Sequence, residues 1–120
     1  MKNLVIIAIL AFFPFIACSK DSSAGKHSKL SKSELSKMVI IDVRTLPEWD
    51  AAHIDGAIHI PLDVITQEIT KKVPDKNTPV ALYCRSGRRS GIALNELVKL
   101  GYTNAENYGG MEQAKKLLGK

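Results

Sequence analysis

Hydrophobic positions follow two regimes along this chain, and the change comes near Leu30. Before it, an apolar stretch runs from Leu4 to Ala17 with Pro14 inside it, and a polar run from Ser19 to Lys29 follows. After it, apolar residues recur in short runs and at helical spacings, separated by turn residues. Ser31 and Glu34 fit a capping box that opens a short helix carrying Leu35. Met38-Val39-Ile40-Ile41 is a run of buried-strand type leading into Asp42-Val43-Arg44. Pro47 suits the first turn of a short helix through Glu48, Trp49 and Asp50. Ala57-Ile58-His59-Ile60 reads as a second short strand, stopped by Pro61. Leu62, Ile65, Ile69 and Val73 recur at helical spacing and predict an amphipathic helix over residues 63–72. Pro74-Asp75-Lys76-Asn77 is turn chemistry.

Val80-Ala81-Leu82-Tyr83 is apolar throughout, as a central parallel strand covered on both faces should be. Residues 90–100 carry Ile92, Ala93, Leu94, Leu97 and Val98 at helical spacing, with Gly101 placed to end the helix. A short strand around residues 106–108, the pair Gly109-Gly110 and a helix over 111–118 complete the pattern. Strands alternating with helices predict an α/β domain: a mostly parallel central sheet flanked by helices.

Composition limits this to one domain. The chain has 120 residues, 45% hydrophobic and 24% charged, which suits a single modest core and argues against wholesale disorder. The net charge of +5 suggests nucleic acid, but its distribution says otherwise. Residues 38–120 carry 11 Lys+Arg against 10 acids, so the excess lies mainly ahead of the predicted domain. A duplex-binding domain needs a basic face on its folded part, and no nucleic-acid partner is expected.

The first 17 residues read as a signal peptide, with Lys2 ahead of a short apolar core. That core is too short for the ~20 residues that span a bilayer as a helix. Ala17 before Cys18 resembles the lipobox of bacterial lipoproteins, in which the signal is cut before the cysteine and its sulfur receives a diacylglycerol. Phe15 stands where that motif usually has Leu. Residues 18–29 then form a lipidated Cys18 and flexible tether, and residues 30–120 the domain. The expected location is the periplasmic side of a bacterial membrane, held by lipid on Cys18; a soluble periplasmic protein with an ordinary cleaved signal is the alternative.

One loop carries the chemistry. Cys84-Arg85-Ser86-Gly87-Arg88-Arg89 lies between a predicted strand and a predicted helix opening at Ser90. In open α/β sheets, ligands bind beyond the carboxyl ends of strands, and a helix start offers free N–H groups to an anion. Gly87 lets the chain curl tightly. The helix terminus and three guanidinium groups are expected to hold the Cys84 thiol below an ordinary thiol, with its sulfur reachable at the base of the curl. Those features describe a nucleophile prepared for an anionic substrate.

These segments resemble the rhodanese family of single-domain sulfurtransferases. Tyr83 to Ser90 matches the family's C-x-x-G-x-R-[S/T] active loop, closest in style to the small periplasmic phage-shock type. Asp42-Val43-Arg44, Glu48-Trp49 and the stretch from His53 to Pro61 look like its second signature, although Ala52 and Asp55 replace its usual Gly and Pro. Leu100-Gly101-Tyr102 and Asn107-Tyr108-Gly109-Gly110-Met111 look like its closing segment, with Met111 where an aromatic residue is usual. The resemblance implies a rhodanese-like fold and sulfur transfer from thiosulfate to a thiol or cyanide acceptor, through a persulfide on Cys84. It implies that Arg85, Ser86, Gly87, Arg88, Arg89 and Ser90 form the substrate-binding loop, and that Asp42 and Arg44 stand beside the loop and support it. No cofactor is implied, and a monomer is expected.

Two other readings use the same residues. Related phosphatases and arsenate reductases carry C-x5-R, which needs an arginine six positions after the cysteine; here that position is Ser90 and the arginine stands one earlier. A persulfide carrier or sensing module needs the same cysteine and loop as a turning-over enzyme. A metal site is not expected: His53 and His59 lie six residues apart without a recognisable ligand spacing, and packing or hydrogen bonding is expected of both, as of Trp49.

Overall fold

The computed structural model describes residues 30–120. The apolar leader, Cys18 and the polar run to Lys29 lie outside the described residues. Along the chain come helix α1 (Lys32–Lys37), strand β1 (Val39–Asp42), α2 (Leu46–Ala51), β2 (Ile58–His59), a 3-10 turn (Leu62–Val64), α3 (Ile65–Lys72), β3 (Val80–Cys84), α4 (Arg88–Lys99), β4 (Ala105–Gly110) and α5 (Met111–Leu118). The four strands are parallel throughout and lie in the order β2-β1-β3-β4.

A parallel sheet covered on both faces needs strands that are apolar at every position. β3 meets that requirement: all five of its residues are buried. Val80, Leu82 and Cys84 pack on one side, with Ile65 and Ile69 of α3 and with Ala93 and Leu97 of α4. Ala81 and Tyr83 pack on the other, with Ala114 and Leu118 of α5 and partly buried Leu35 of α1. The period of two along one strand thus feeds two separate apolar layers. The expected α/β architecture is the one observed.

Local signals hold at the element starts. Ser31 and Glu34 exchange the two bonds of a capping box, the Ser31 N–H donating to Glu34 at 2.8 Å and the Glu34 N–H to Ser31 Oγ at 3.3 Å. β2 is shorter than its apolar run, holding only Ile58–His59, and three further boundaries differ from the pattern. The helix expected from residue 63 opens as a 3-10 turn, and Val64 (φ −117°, ψ 7°) separates that turn from α3. The turn lets Leu62 and Val64 pack on the same layer as Ile65. The helix expected from residue 90 begins at Arg88, because Gly87 already turns the chain. β4 runs on to Gly110, since its glycines continue the pairing alongside Cys84. All three shifts lie around the end of the sheet where Cys84 sits.

Two neighbours on α4 test this layering. Leu97 is fully buried whereas Val98 is 59% exposed. Leu97→Ala is expected to cost about 2–5 kcal/mol and Val98→Ala no more than about 0.5 kcal/mol. Urea unfolding of both variants measures this, and similar costs at the two positions contradict the assigned face.

Candidate active site

β3 delivers Cys84 to the carboxyl end of the sheet, and the chain leaves it through a tight curl. Gly87 adopts φ +94°, a backbone conformation that side chains disfavour, and from there α4 begins. The curl turns donors inward. The Gly87 N–H donates to Cys84 Sγ at 2.9 Å, and the Ser90 hydroxyl lies 3.5 Å from the same sulfur. Burial pushes the Cys84 thiol up, but the Ser90 hydroxyl and the N–H groups of Ser90, Ser86 and Gly87 together hold it below its ordinary value. A thiolate in this place is held by main-chain donors in the manner of an anion hole.

β4 buttresses the curl from the side. Gly110 pairs with Cys84 across an irregularity in the β3–β4 ladder. A Cβ on Gly110 would stand 2.6 Å from the Arg85 carbonyl oxygen, so only glycine allows the two backbones this close. Asn107 adds the polar part of the contact. Its Nδ2 donates to the Gly87 carbonyl at 3.0 Å, and its Oδ1 accepts from the Gly109 N–H at 2.9 Å and from the Ser90 hydroxyl at 2.7 Å.

The three arginines of the loop take different places. Arg89 turns away to form a two-pronged ion pair with Glu48 of α2, at 2.6 and 3.0 Å. That guanidinium, with the Thr45 hydroxyl, holds the Glu48 carboxyl down at about 2. Arg85 and Arg88 lie exposed on the loop. Main-chain and hydroxyl donors are the leading influences that favour the thiolate, and Arg89 adds a coulombic attraction to Cys84. Glu48 was read only as part of a helix and a motif; its partner is 41 residues away in sequence, and no local pattern announces it.

Asp42 and Arg44 form a buried pair at the end of β1. Arg44 Nε donates to both Asp42 oxygens at 3.0 Å, and Nη2 donates to Asp42 Oδ2 at 2.7 Å and to the Ala52 carbonyl at 2.6 Å. Besides each other, they engage the end of α2, His59 and Tyr83. Arg44 also lies over the Tyr83 ring, 5.5 Å from its centroid, next to Cys84 in the chain. His53 and His59 serve packing and hydrogen bonding. Each ring stacks on Trp49, at 3.6 and 4.9 Å, and each donates to a carbonyl, His53 to Trp49 and His59 to Arg44.

The sulfur is less open than expected. Cys84 has no exposed surface, and the open space beside the loop is a hollow of about 550 Å³ lined by Arg44, Ala52, Arg85, Ser86, Gly110 and Met111, among others. Arg85 and Ser86, both exposed, form the part of the loop that lines this hollow.

Comparison with known proteins gives this geometry a family. The model of the rhodanese-like domain matches residues 23–117. The chain is 46% identical over 72 residues to the thiosulfate sulfurtransferase PspE of Escherichia coli K12, covering 60% of this chain and 69% of that one. It is 39% identical over 98 residues to the probable adenylyltransferase/sulfurtransferase MoeZ of Mycobacterium tuberculosis, covering 75% of this chain but only 25% of that much longer protein. Among solved structures, a rhodanese with anions from E. coli superposes with a TM-score of 0.59 at 44% identity, covering 63% of this chain and 89% of that one. The chain therefore belongs to the rhodanese-like family, and it is a sulfurtransferase.

Proposed function

We propose that this enzyme moves a sulfane sulfur from thiosulfate to a thiol or cyanide acceptor through a persulfide on Cys84. The Cys84 thiolate attacks the outer sulfur of thiosulfate, a new S–S bond forms, and the old one breaks with its electron pair leaving on sulfite. The enzyme then holds Cys84–S–S⁻. An acceptor anion takes the outer sulfur and returns Cys84 as thiolate, so charge and electrons balance over the cycle without a cofactor. The observation that carries this reading is the Gly87 N–H aimed at Cys84 Sγ at 2.9 Å in a curl that holds the thiol below its ordinary value. The same donors serve the persulfide anion that replaces the thiolate.

The other loop residues take roles from their placement. Arg85 and Arg88, exposed on the outer face, attract the dianion from solution. Arg89 braces α4 against α2 through Glu48. Asp42 and Arg44 hold α2 in the place where Glu48 meets Arg89, and so act on the loop at one remove. We place the enzyme on the periplasmic side of a bacterial membrane, anchored by lipid on Cys18. Lys2, the apolar stretch from Leu4 to Ala17 and the polar run from Ser19 to Lys29 support that placement.

Mass spectrometry of the protein after exposure to thiosulfate is expected to show one added sulfur atom on Cys84, lost on addition of cyanide and absent in Cys84→Ser. No added sulfur on a folded, reduced protein overturns the reading. The pH dependence follows from the two shifted groups. Glu48 stays ionised down to about pH 2, so its pairing with Arg89 is constant over the working range. The thiolate is lost as pH falls through the lowered value of Cys84, so kcat/KM for thiosulfate should drop on the acid side in a single limb. That limb should lie below the ~8.5 of a free thiol and move up in Ser90→Ala. For the anchor, the intact mass of the membrane-extracted protein is expected to be that of a chain beginning at Cys18 with a diacylglycerol on its sulfur; an unmodified Cys18 contradicts the lipid attachment.

A further inference from the structure

Asn107 stands on β4, in a segment that the active-loop motif does not include. Its amide is oriented from two sides. The Gly109 N–H can only donate, so the atom facing it at 2.9 Å is the oxygen Oδ1; the Gly87 carbonyl can only accept, so the atom facing it at 3.0 Å is Nδ2. Oδ1 is thereby held 2.7 Å from the Ser90 hydroxyl.

That hydroxyl has one proton and three acceptors around it: Asn107 Oδ1 at 2.7 Å, the Gly87 carbonyl at 3.1 Å and Cys84 Sγ at 3.5 Å. Both oxygen acceptors are supplied from elsewhere. Oδ1 has the Gly109 N–H, and the Gly87 carbonyl has Asn107 Nδ2 and the Gly91 N–H at 3.1 Å. The proton can therefore turn from Oδ1 to sulfur without leaving a buried acceptor unmet. With a neutral thiol, the short O–H···O bond keeps it. With a charged sulfur, the charge-assisted bond is the stronger and draws it across. The same amide fixes the Gly87 residue whose own N–H reaches the sulfur at 2.9 Å.

We propose that Asn107 is a positioning residue for sulfur transfer: its amide holds Gly87 by its carbonyl, and with it the same residue's N–H that donates to Cys84, and it holds the Ser90 hydroxyl, which it lets swing onto the sulfur whenever the sulfur carries charge. The proposal rests on Cys84 being the nucleophile and deepens that reading. No proton leaves the site in this step; the Ser90 hydroxyl rotates and changes acceptor.

The test reads the thiolate directly and needs no turnover. The rate of Cys84 alkylation by iodoacetamide is followed against pH in the full chain, for the wild type, Asn107→Ala, Ser90→Ala and the double variant. Asn107→Ala removes the brace on Gly87, which raises the midpoint, and also a competing acceptor for the Ser90 proton, which lowers it; with positioning as the larger effect the midpoint is expected to rise, by less than about 1 pH unit. The double variant is expected to move less than the two single shifts added together, because both changes act on one shared donor. A purely structural role lowers the melting temperature but leaves the midpoint in place. An unmoved or lowered midpoint in a folded Asn107→Ala, or strictly additive shifts, overturns the proposal. Should Asn107→Ala fail to fold, Asn107→Ser carries the same reading, since its hydroxyl keeps the Gly109 N–H satisfied but is too short to reach the Gly87 carbonyl. A wild-type midpoint at the ordinary thiol value overturns both this proposal and the one it rests on. A lowered wild-type midpoint that Asn107 does not influence removes only this one.

Discussion

A sulfur atom with no exposed surface stays ionised only if the protein supplies what water otherwise gives. At Cys84 desolvation is the largest single influence, and it opposes the charge. Several smaller contributions, from one hydroxyl and three N–H groups, together exceed it. That balance requires the donors to converge within hydrogen-bond distance, and convergence constrains the surrounding chain. Gly87 must take a positive φ, and the end of β4 must approach the Arg85 backbone without a side chain between them. The sheet register that sets Gly110 opposite Cys84 is thus part of the electrostatics of the sulfur.

The polar contacts around the loop divide into inner and outer sets. Inside, Ser90 and Asn107 are held by short neutral hydrogen bonds whose net contribution to folding is modest, and Ser90 is among the groups that lower the Cys84 thiol. Outside, the Arg89–Glu48 ion pair is about a quarter to a third exposed, at 31% and 24%, and its value lies in fixing the loop rather than in overall stability. Asp42 and Arg44 carry that fixing further back into the sheet. α2 has no fully buried residue, and Arg44 ties its end at the Ala52 carbonyl while Glu48 ties its middle. A helix with so little apolar anchorage depends on these arginines for its position.

How much of this was legible in the chain follows from the range of each interaction. The apolar run of β3, the helical spacing of α4 and the capping box at Ser31 depend on neighbours a few residues apart, and each reads directly from the letters. The motif located Cys84, Gly87 and Ser90 in one curl, and the structure brings those three together. The pairing of Arg89 with Glu48 joins residues 41 apart, and that of Ser90 with Asn107 joins residues 17 apart. Such pairs exist only once the strand order is set. The arginines show the same limit: their presence is visible in the sequence, but that Arg89 reaches Glu48 while still attracting the Cys84 charge depends on how α4 is set against α2.

Helix phase also separates this loop from the C-x5-R loops it most resembles in outline. Successive residues on a helix point about 100° apart. Arg89 projects outward to Glu48, and Ser90, one step on, projects inward and is fully buried against the sulfur and Asn107. An arginine six places after the cysteine would have to occupy the inward position, where a side chain the size of serine already makes contacts of 2.7–3.5 Å. Phosphoryl binding in such a loop relies on a guanidinium placed over the anion. Here the inward position offers a single hydroxyl, enough to share the charge of one sulfur atom and too short to span the oxygens of a phosphate. The difference of one residue in loop length thereby decides which side chain faces the sulfur.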